Sequence, residues 1–475
     1  MASKRRNMFH KNKTQETTEK GRFYSLEMGC EFTGCRQCKP QFDSEADEQE
    51  RTSEYNEGGY LALEIGRILD NRYQVVRKLG WGVFSTVWMC WDMETGEFVA
   101  LKIVKDLECD RVIALGEVAM LRSIQERGTE EDVGKSTIVS LRNSFSLPGE
   151  NGVHVCMVFD VLGKNLLSLV DYEGNKGIHL KNVKSIIKQV LEALSFLHEK
   201  CHVVHTDLKP ENVFLCVDSD YVRKLALDVV ERVWSGQPLA TSMVCAGSRR
   251  VDSGLRCRLR LLKKVVEGGW SGGDRGGWGR SLEWARLRDS VARGPRSLRV
   301  KLGDFGNAVP VGYDYKCTIQ TEPYRAPEVI LGAGFGCSAD IWSVACLAFE
   351  LATGTVLFEP TKSQSATRPE NHLACIMQVC GPVPYGLRLR GRHTFRYFTK
   401  FGTLKHLGKV KKIGLKQILV NECGFRKKSA GEFSDFLQAM LNVDPAKRPT
   451  ATQCLRHPWL AGQRYNYRAT PLDEE

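Results

Sequence analysis

Residues 205–212 read His-Thr-Asp-Leu-Lys-Pro-Glu-Asn and set a carboxylate, an ammonium and a carboxamide at short fixed offsets: Asp207, Lys209 and Asn212. A carboxylate so placed can orient a hydroxyl and accept its proton. An ammonium two residues on can steady a transferring phosphoryl group, and a carboxamide can help to hold a metal ion.

Other groups in the chain suit the same chemistry. In Gly80-Trp81-Gly82-Val83-Phe84-Ser85-Thr86-Val87, glycines at 80 and 82 let the backbone approach and cover phosphates, which a Cβ would obstruct. Val99-Ala100-Leu101-Lys102 is an apolar run ending in a lysine, which alone could be a snorkelling surface residue. The glycine loop before it favours a phosphate ligand, with Glu117 its natural ion-pair partner. Asp304-Phe305-Gly306 follows a short apolar run, and Ala326-Pro327-Glu328 lies 22 residues beyond it. Each tripeptide is weak alone. The ordered set Lys102, Glu117, Asp207, Asn212, Asp304 and Glu328 is specific.

These groups need elements to bring them together. Tyr73–Leu79, Thr86–Asp92 and Glu97–Val104 are β-prone runs separated by glycine-containing turns, the start of an antiparallel sheet. Ala114–Gln125 has helical apolar spacing, and Val153–Val161 reads as another strand. Val183–His198 predicts an amphipathic helix with Val183, Ile187, Val190, Leu191, Leu194 and Leu197 on one face. Leu298–Leu302 reads as a strand, and mostly helical sequence follows to His457-Pro458-Trp459. Strands first and helices later predict an α+β protein.

Read together, these residues resemble the protein kinases, and among them the SR-protein kinases, which phosphorylate serines in Arg-Ser repeats of splicing factors. The matching stretches include Gly58-Gly59-Tyr60, Tyr73 to Gly82, Val153 to Phe159, His205 to Asn212, Asp304 to Ala308, Phe349 to Gly354 and Leu455 to Leu460. The resemblance covers about residues 58–235 and 299–462. It implies a bilobal kinase fold: a small antiparallel β-sheet lobe, a larger helical lobe and a disordered insertion between the catalytic loop and the Asp304-Phe305-Gly306 motif. It implies ATP and Mg²⁺ as cofactors. Asp207 would orient the substrate hydroxyl and Lys209 would stabilise the γ-phosphate, with Thr321 hydrogen-bonded toward both. Asp304 and Asn212 would bind the metal ions, and Glu117 would fix Lys102 on the α- and β-phosphates. The ATP pocket would be formed by Leu79, Gly80, Gly82, Val87, Ala100, Phe159, Leu162 and Phe214, with the hinge at Asp160–Gly163. Asp340 would accept backbone N–H groups of the catalytic loop, and Arg448 would pair with Glu328.

The resemblance implies Arg/Ser-rich protein substrates, with departures. The family's typical DLG is Asp304-Phe305-Gly306 here, and its APE triplet, typically without proline, is Ala326-Pro327-Glu328. Where the family grips Arg-rich substrates through acidic residues, this chain has Thr355, Asn371 and Gln378, which should weaken long processive docking. Thr206 replaces the arginine that in many kinases pairs with a phosphorylated activation loop, so loop phosphorylation has no obvious partner. Asn371-His372-Leu373-Ala374 and Gly381-Pro382-Val383-Pro384 echo the LAMMER or Clk-like kinases, the nearest alternative. A weakly active scaffold with an Arg/Gly-rich RNA-associating insertion is a reading of another class.

The expected domain plan is a disordered tail over 1–58, an upper lobe with hinge over 59–162 and the first part of the lower lobe over 163–215. An insertion over 216–298, the rest of the lower lobe over 299–462 and a C-terminal tail over 463–475 complete it. Asp218–Gly236 looks locally helical, whereas Gly254–Gly294 is rich in Gly, Arg and Trp without sustained period, fitting a disordered arm or translated non-coding sequence.

The chain carries a net charge of +12. Residues 249–299 hold 14 Lys/Arg against 5 Asp/Glu, so the catalytic body is not a basic nucleic-acid binder, and RNA association would rest on that segment. Cys30, Cys35 and Cys38 have an iron–sulfur-like spacing but no nearby fourth cysteine, so free thiols are expected. The 17 scattered cysteines suit reduced thiols, and no run of about 18 apolar residues provides a membrane span. A monomer shared between cytoplasm and nucleus is the expectation.

Overall fold

The computed structural model describes residues 49–246, 254–268, 298–313, 318–360 and 366–461. Six strands form one antiparallel sheet: β1 (Ile68–Leu69), β2 (Tyr73–Gly82), β3 (Ser85–Asp92), β4 (Glu97–Val104), β5 (Leu141–Gly149) and β6 (Gly152–Asp160), in the order β1-β2-β3-β4-β6-β5. Val87 pairs with Lys102, Met89 with Ala100, and Ala100 with Phe159. Side chains alternate along a strand, so this register places Val87, Ala100, Lys102 and Phe159 on one face. The opposite face buries Trp88, Cys90, Val99, Leu101, Cys156 and Val158 under Leu61, Leu63 and Leu69.

Helix α1 (Glu108–Glu126) packs on the sheet through Ala114, Val118 and Leu121, which leaves Glu117 facing Lys102. The larger lobe is built around α2 (Leu180–Phe196), whose predicted apolar face is buried at Val183, Ile187, Val190, Leu191 and Leu194. Two small antiparallel pairs carry the catalytic segments: β7 (Val203–Val204) with β10 (Val309–Pro310), and β8 (Val213–Leu215) with β9 (Val300–Leu302).

Within the insertion over 216–298 the helix expected at Asp218–Gly236 is present, and the expectation of disorder is corrected for the rest of its first half. Helix α3 (Ser219–Ser235) starts at Asp218, whose side chain accepts the Tyr221 N–H, and ends at Gly236 in left-handed conformation. Helices α4 (Leu255–Arg258) and α5 (Arg260–Gly268) follow. Buried Val222, Ala226, Val229 and Val233 pack in one cluster with Leu255, Leu259, Leu262 and Val266, and with Val76, Met89, Ala100 and Val161 of the upper lobe. Tertiary burial thus orders a segment whose Gly/Arg-rich continuation looked structureless. Residues 269–297 lie outside the described residues.

The solvated-tail expectation over 1–58 is likewise corrected at its end. Glu50 is buried, pairs with Lys78 on β2 and accepts bonds from Tyr55 and the Ala246 N–H. The Gln49 side chain donates to the carbonyls of Thr241 and Val244. The N-terminal flank and the insertion therefore meet over β2 around one buried charge pair. Cys30, Cys35 and Cys38, and residues 463–475, lie outside the described residues.

Candidate active site

The sequence motifs converge at the junction of the two lobes. The β2–β3 hairpin carries Gly80 opposite Val87 and Gly82 opposite Ser85, and a Cβ built on either glycine would meet nothing within 4 Å. The loop thus presents bare backbone over open space, with Tyr60 donating to the Gly82 carbonyl at 2.7 Å. On β4, Lys102 Nζ lies 2.7 Å from Glu117 Oε2 and 3.9 Å from Asp304 Oδ1. Burial works against the Lys102 charge, but Glu117 and Asp304 outweigh it and hold its ammonium above the ordinary lysine range. The cation is fixed where a polyphosphate could replace part of its carboxylate company.

A second cluster forms in the larger lobe. Lys209 Nζ donates to Asp207 Oδ2 at 2.6 Å and to Thr321 Oγ1 at 3.0 Å. The Thr321 hydroxyl and backbone N–H donate to Asp207 Oδ1 at 2.6 and 3.1 Å, and Asn212 Nδ2 donates to the Asp207 carbonyl at 2.8 Å. Burial disfavours the Asp207 charge. The Lys209 ammonium and the Thr321 hydroxyl more than offset this, holding the carboxyl below its ordinary range. It is an ionised acceptor throughout the neutral region.

The loop is held from beneath by Asp340 on α7 (Cys337–Thr353). Its carboxylate accepts the N–H groups of His205 and Thr206 at 2.8 and 2.9 Å and contacts His198 Nε2 at 2.9 Å. Three non-glycine residues here take left-handed backbone: Thr206 (φ 70°), Asp304 (φ 62°) and Gln320 (φ 67°). For a β-branched threonine that conformation is costly, and its bonds to Asp340 and Asn307 hold it there. Phe305 is buried with its ring edge-on to His205, 5.1 Å between centroids, while the Asp304 side chain stays 41% exposed toward the cleft.

Leu79, Val87, Ala100 and Phe159 pack in one cluster on the upper wall. Phe214 stands on β8 against Gly303, the residue before Asp304. Leu162 lies just before Gly163, whose N–H bonds to the Leu215 carbonyl and ties the hinge to β8. Among the described residues no three His, Cys, Asp or Glu side chains are grouped to hold a metal by themselves. One carboxylate (Asp304) and one carboxamide (Asn212) beside an open phosphate cradle do fit a divalent ion that takes its remaining ligands from phosphate and water.

A protein kinase domain model matches residues 73–245 and 292–460. SRSF protein kinase 3 of Sus scrofa is 36% identical, with 88% of this chain and 91% of the relative aligned. The serine/threonine-protein kinase SRPK of Physarum polycephalum is 37% identical over 88% of this chain and 92% of its own length. Protein kinase dsk1 of Schizosaccharomyces pombe is 36% identical over 87% and 85%. A solved kinase-domain crystal structure, 24% identical, matches the fold with a TM-score of 0.59 over 84% of this chain and 98% of that one.

This chain is a serine/threonine kinase of the SR-protein kinase family. Membership implies ATP and a divalent metal in general. The sequence did not single out Gln320. Its buried side chain donates to the Ala339 carbonyl and to Ser343 Oγ, both at 2.9 Å, and accepts the Ala326 N–H at 3.0 Å. Arg325 in turn donates to the carbonyls of Ile319 and Gln320. A glutamine between Ile319 and Thr321 carries no pattern that sequence spacing could expose. Together with the Thr206 bond to the Asn307 carbonyl at 2.7 Å, these contacts hold the described part of this kinase's activation segment through side-chain and backbone hydrogen bonds of its own.

Protein made in bacteria and treated with phosphatase should therefore be active at once. A peptide phosphorylation assay before and after phosphatase checks this. An inert product that recovers only after treatment with an upstream kinase overturns it.

Proposed function

We propose that this kinase transfers the γ-phosphoryl group of ATP to serine hydroxyls in Arg/Ser-rich proteins of the splicing-factor kind. The observation that carries the chemistry is the closed Asp207–Lys209–Thr321 cluster. Bound ATP supplies the activated phosphoryl group, and Mg²⁺ neutralises charge on its phosphates.

The chain's own residues do the rest. Gly80 and Gly82 cover the nucleotide with bare backbone, and Lys102, steadied by Glu117, would hold the α- and β-phosphates. Asp304 and Asn212 would hold the metal ions. Leu79, Val87, Ala100, Phe159, Leu162 and Phe214 would wall the adenine. Asp207, ionised and already accepting the Thr321 hydroxyl, orients the incoming serine hydroxyl and accepts its proton. Lys209 stabilises charge on the group in flight.

The names of the relatives, SRSF protein kinase 3 above all, support the Arg/Ser-rich substrate class. Neutral Thr355, Asn371 and Gln378 argue for short engagements rather than long processive ones. A positional peptide library with labelled ATP tests the assignment. Strong selection of Arg beside the phosphorylated Ser is expected. Selection of Pro after Ser would move the protein to the Pro-directed kinases.

A further inference from the structure

Between Glu370 and Glu422 the chain carries ten Lys/Arg and no Asp or Glu, a second basic concentration apart from 249–299. Most of this stretch is folded onto the larger lobe. After α6 (Pro327–Leu331), α7 and α8 (Arg368–Cys380), it forms two short helices, α9 (Tyr385–Arg390) and α10 (Thr394–Tyr397), and a loop that returns beside them. The Lys405 N–H bonds to the Tyr397 carbonyl, and Phe398 bridges Leu404. Backbone bonds from His393 to Leu331 and from Arg392 to Gly332 seat the unit on α6, at the end of the activation segment.

Four large apolar side chains stand out of this unit: Tyr385 (70% exposed), Leu389 (72%), Phe395 (68%) and Phe401 (81%). Single exposed apolar residues are ordinary, but four within one compact basic unit mark a contact surface. Arg390, Arg396 and Lys400 are exposed among them and pair with no carboxylate of the described residues. The Arg388 guanidinium lies 5.6 Å from the Tyr385 ring centroid and 5.8 Å from that of Phe398, and Lys400 lies 5.1 Å from that of Phe401.

That arrangement selects among occupants. An Arg/Ser tract would meet charge of its own sign. Single-stranded nucleic acid gains its affinity by stacking successive bases on free aromatic faces, and here cations of the chain already lie over Tyr385 and Phe401, Leu389 offers no stacking face, and Phe395 by itself makes no platform for a run of bases. Unpaired cations alternating with exposed aliphatic and aromatic groups complement a polypeptide that alternates carboxylates with apolar side chains.

We propose that the α9–α10 unit and the loop to Lys405 form a docking surface for an acidic, apolar-interspersed protein segment. This goes beyond the substrate reading, because such docking needs no turnover and holds whichever residues flank the phosphorylated serine. It would tether a protein through a region separate from the tract being modified.

The test is fluorescence anisotropy with the full chain and three labelled probes of equal length. They are an Asp/Glu peptide with Leu and Phe at every fourth position, an Arg-Ser peptide and an oligouridine. The acidic peptide should bind, and more weakly as salt rises. Affinity should fall about tenfold or more in an Arg390→Glu/Arg396→Glu/Lys400→Glu variant and about fivefold in Phe395→Ala/Phe401→Ala. Both variants should phosphorylate a short serine peptide at the unaltered rate, which separates failure of the docking surface from failure of the kinase assignment. If the triple variant does not fold, Arg390→Glu or Lys400→Glu alone should show a loss of about twofold or more. No binding of the acidic peptide, or binding that ignores every one of these substitutions, overturns the proposal. So does oligouridine binding more tightly and being the probe released by the charge reversals, which would make the surface a nucleic-acid site.

Discussion

Asp207→Asn should lower turnover by about 10²–10⁴-fold, the range that removal of a positioned general base commands, while leaving a folded, nucleotide-binding protein. The carboxylate is the hub of its cluster, accepting from Lys209 at 2.6 Å and from the Thr321 hydroxyl at 2.6 Å. Asparagine keeps an acceptor oxygen for Thr321 but loses the charge that Lys209 faces and the capacity to take a proton. The substitution should therefore act on kcat with little change in KM for ATP, since Lys102 and the glycine loop belong to the other lobe.

The sign of the pH effect follows from the direction of the shift. The folded carboxyl is held below its unfolded value. Its contribution to stability is thus present above the unfolded pKa and is lost only as pH falls through the lower, folded one. At neutral pH the wild type keeps all of that contribution and the variant has none, so a modest drop in melting temperature should accompany the kinetic loss. Single-turnover kinetics with a serine peptide, a nucleotide-binding titration and a thermal melt separate these effects. Near-normal phosphorylation by the variant would remove Asp207 from the mechanism.

Why so much of this site could be read from the chain, and so little of its surroundings, comes down to the range of the interactions. Asp207, Lys209 and Asn212 lie within one loop, Lys102 is the lone charge among the apolar residues 99–104 of β4 and Asp304 follows an apolar strand, so local spacing announces them. Thr321 needed the resemblance to be placed. The insertion is different. Helix α3 has a visible apolar period, but nothing local says that its Val222, Ala226, Val229 and Val233 are buried against Met89 and Ala100 of the upper lobe. Across α4, α5 and the residue joining them, Leu255, Leu259, Leu262 and Val266 recur at helical spacing, a signal masked by the glycine- and arginine-rich residues that follow.

Glu50 is the clearest case. Amid Glu45, Asp47, Glu48 and Glu54 it looks like one more solvated charge, and only its partner Lys78, on a strand well beyond it, makes it a buried structural residue. Pairing at a distance is invisible to composition. It is also where the two ordered flanks of the catalytic body are joined.

Arg448→Met should destabilise the larger lobe by about 3–5 kcal/mol, the cost of leaving a buried charge without its partner. Arg448 Nη1 and Nη2 meet Glu328 Oε1 and Oε2 at 2.6 and 2.7 Å, with the two side chains 0% and 1% exposed. The same guanidinium donates to the Asn442 and Ser338 carbonyls at 2.7 and 2.9 Å and lies 4.9 Å from the Trp342 ring centroid. Methionine fills much of the volume but satisfies none of these acceptors, and Glu328 keeps a carboxylate that water cannot reach. Lysine would restore the charge yet not the two-pronged geometry, so Arg448→Lys should recover only part of the loss. Because Glu328 opens α6 directly after the activation segment, the damage should spread to Thr321 and lower activity as well as stability. Urea unfolding followed by tryptophan fluorescence measures the first effect and peptide phosphorylation the second. An unchanged urea midpoint in Arg448→Met would show that this pair does not hold the lobe together. A Glu328→Gln/Arg448→Met double variant more stable than Arg448→Met alone would show that the stranded carboxylate, rather than lost packing, dominates the cost.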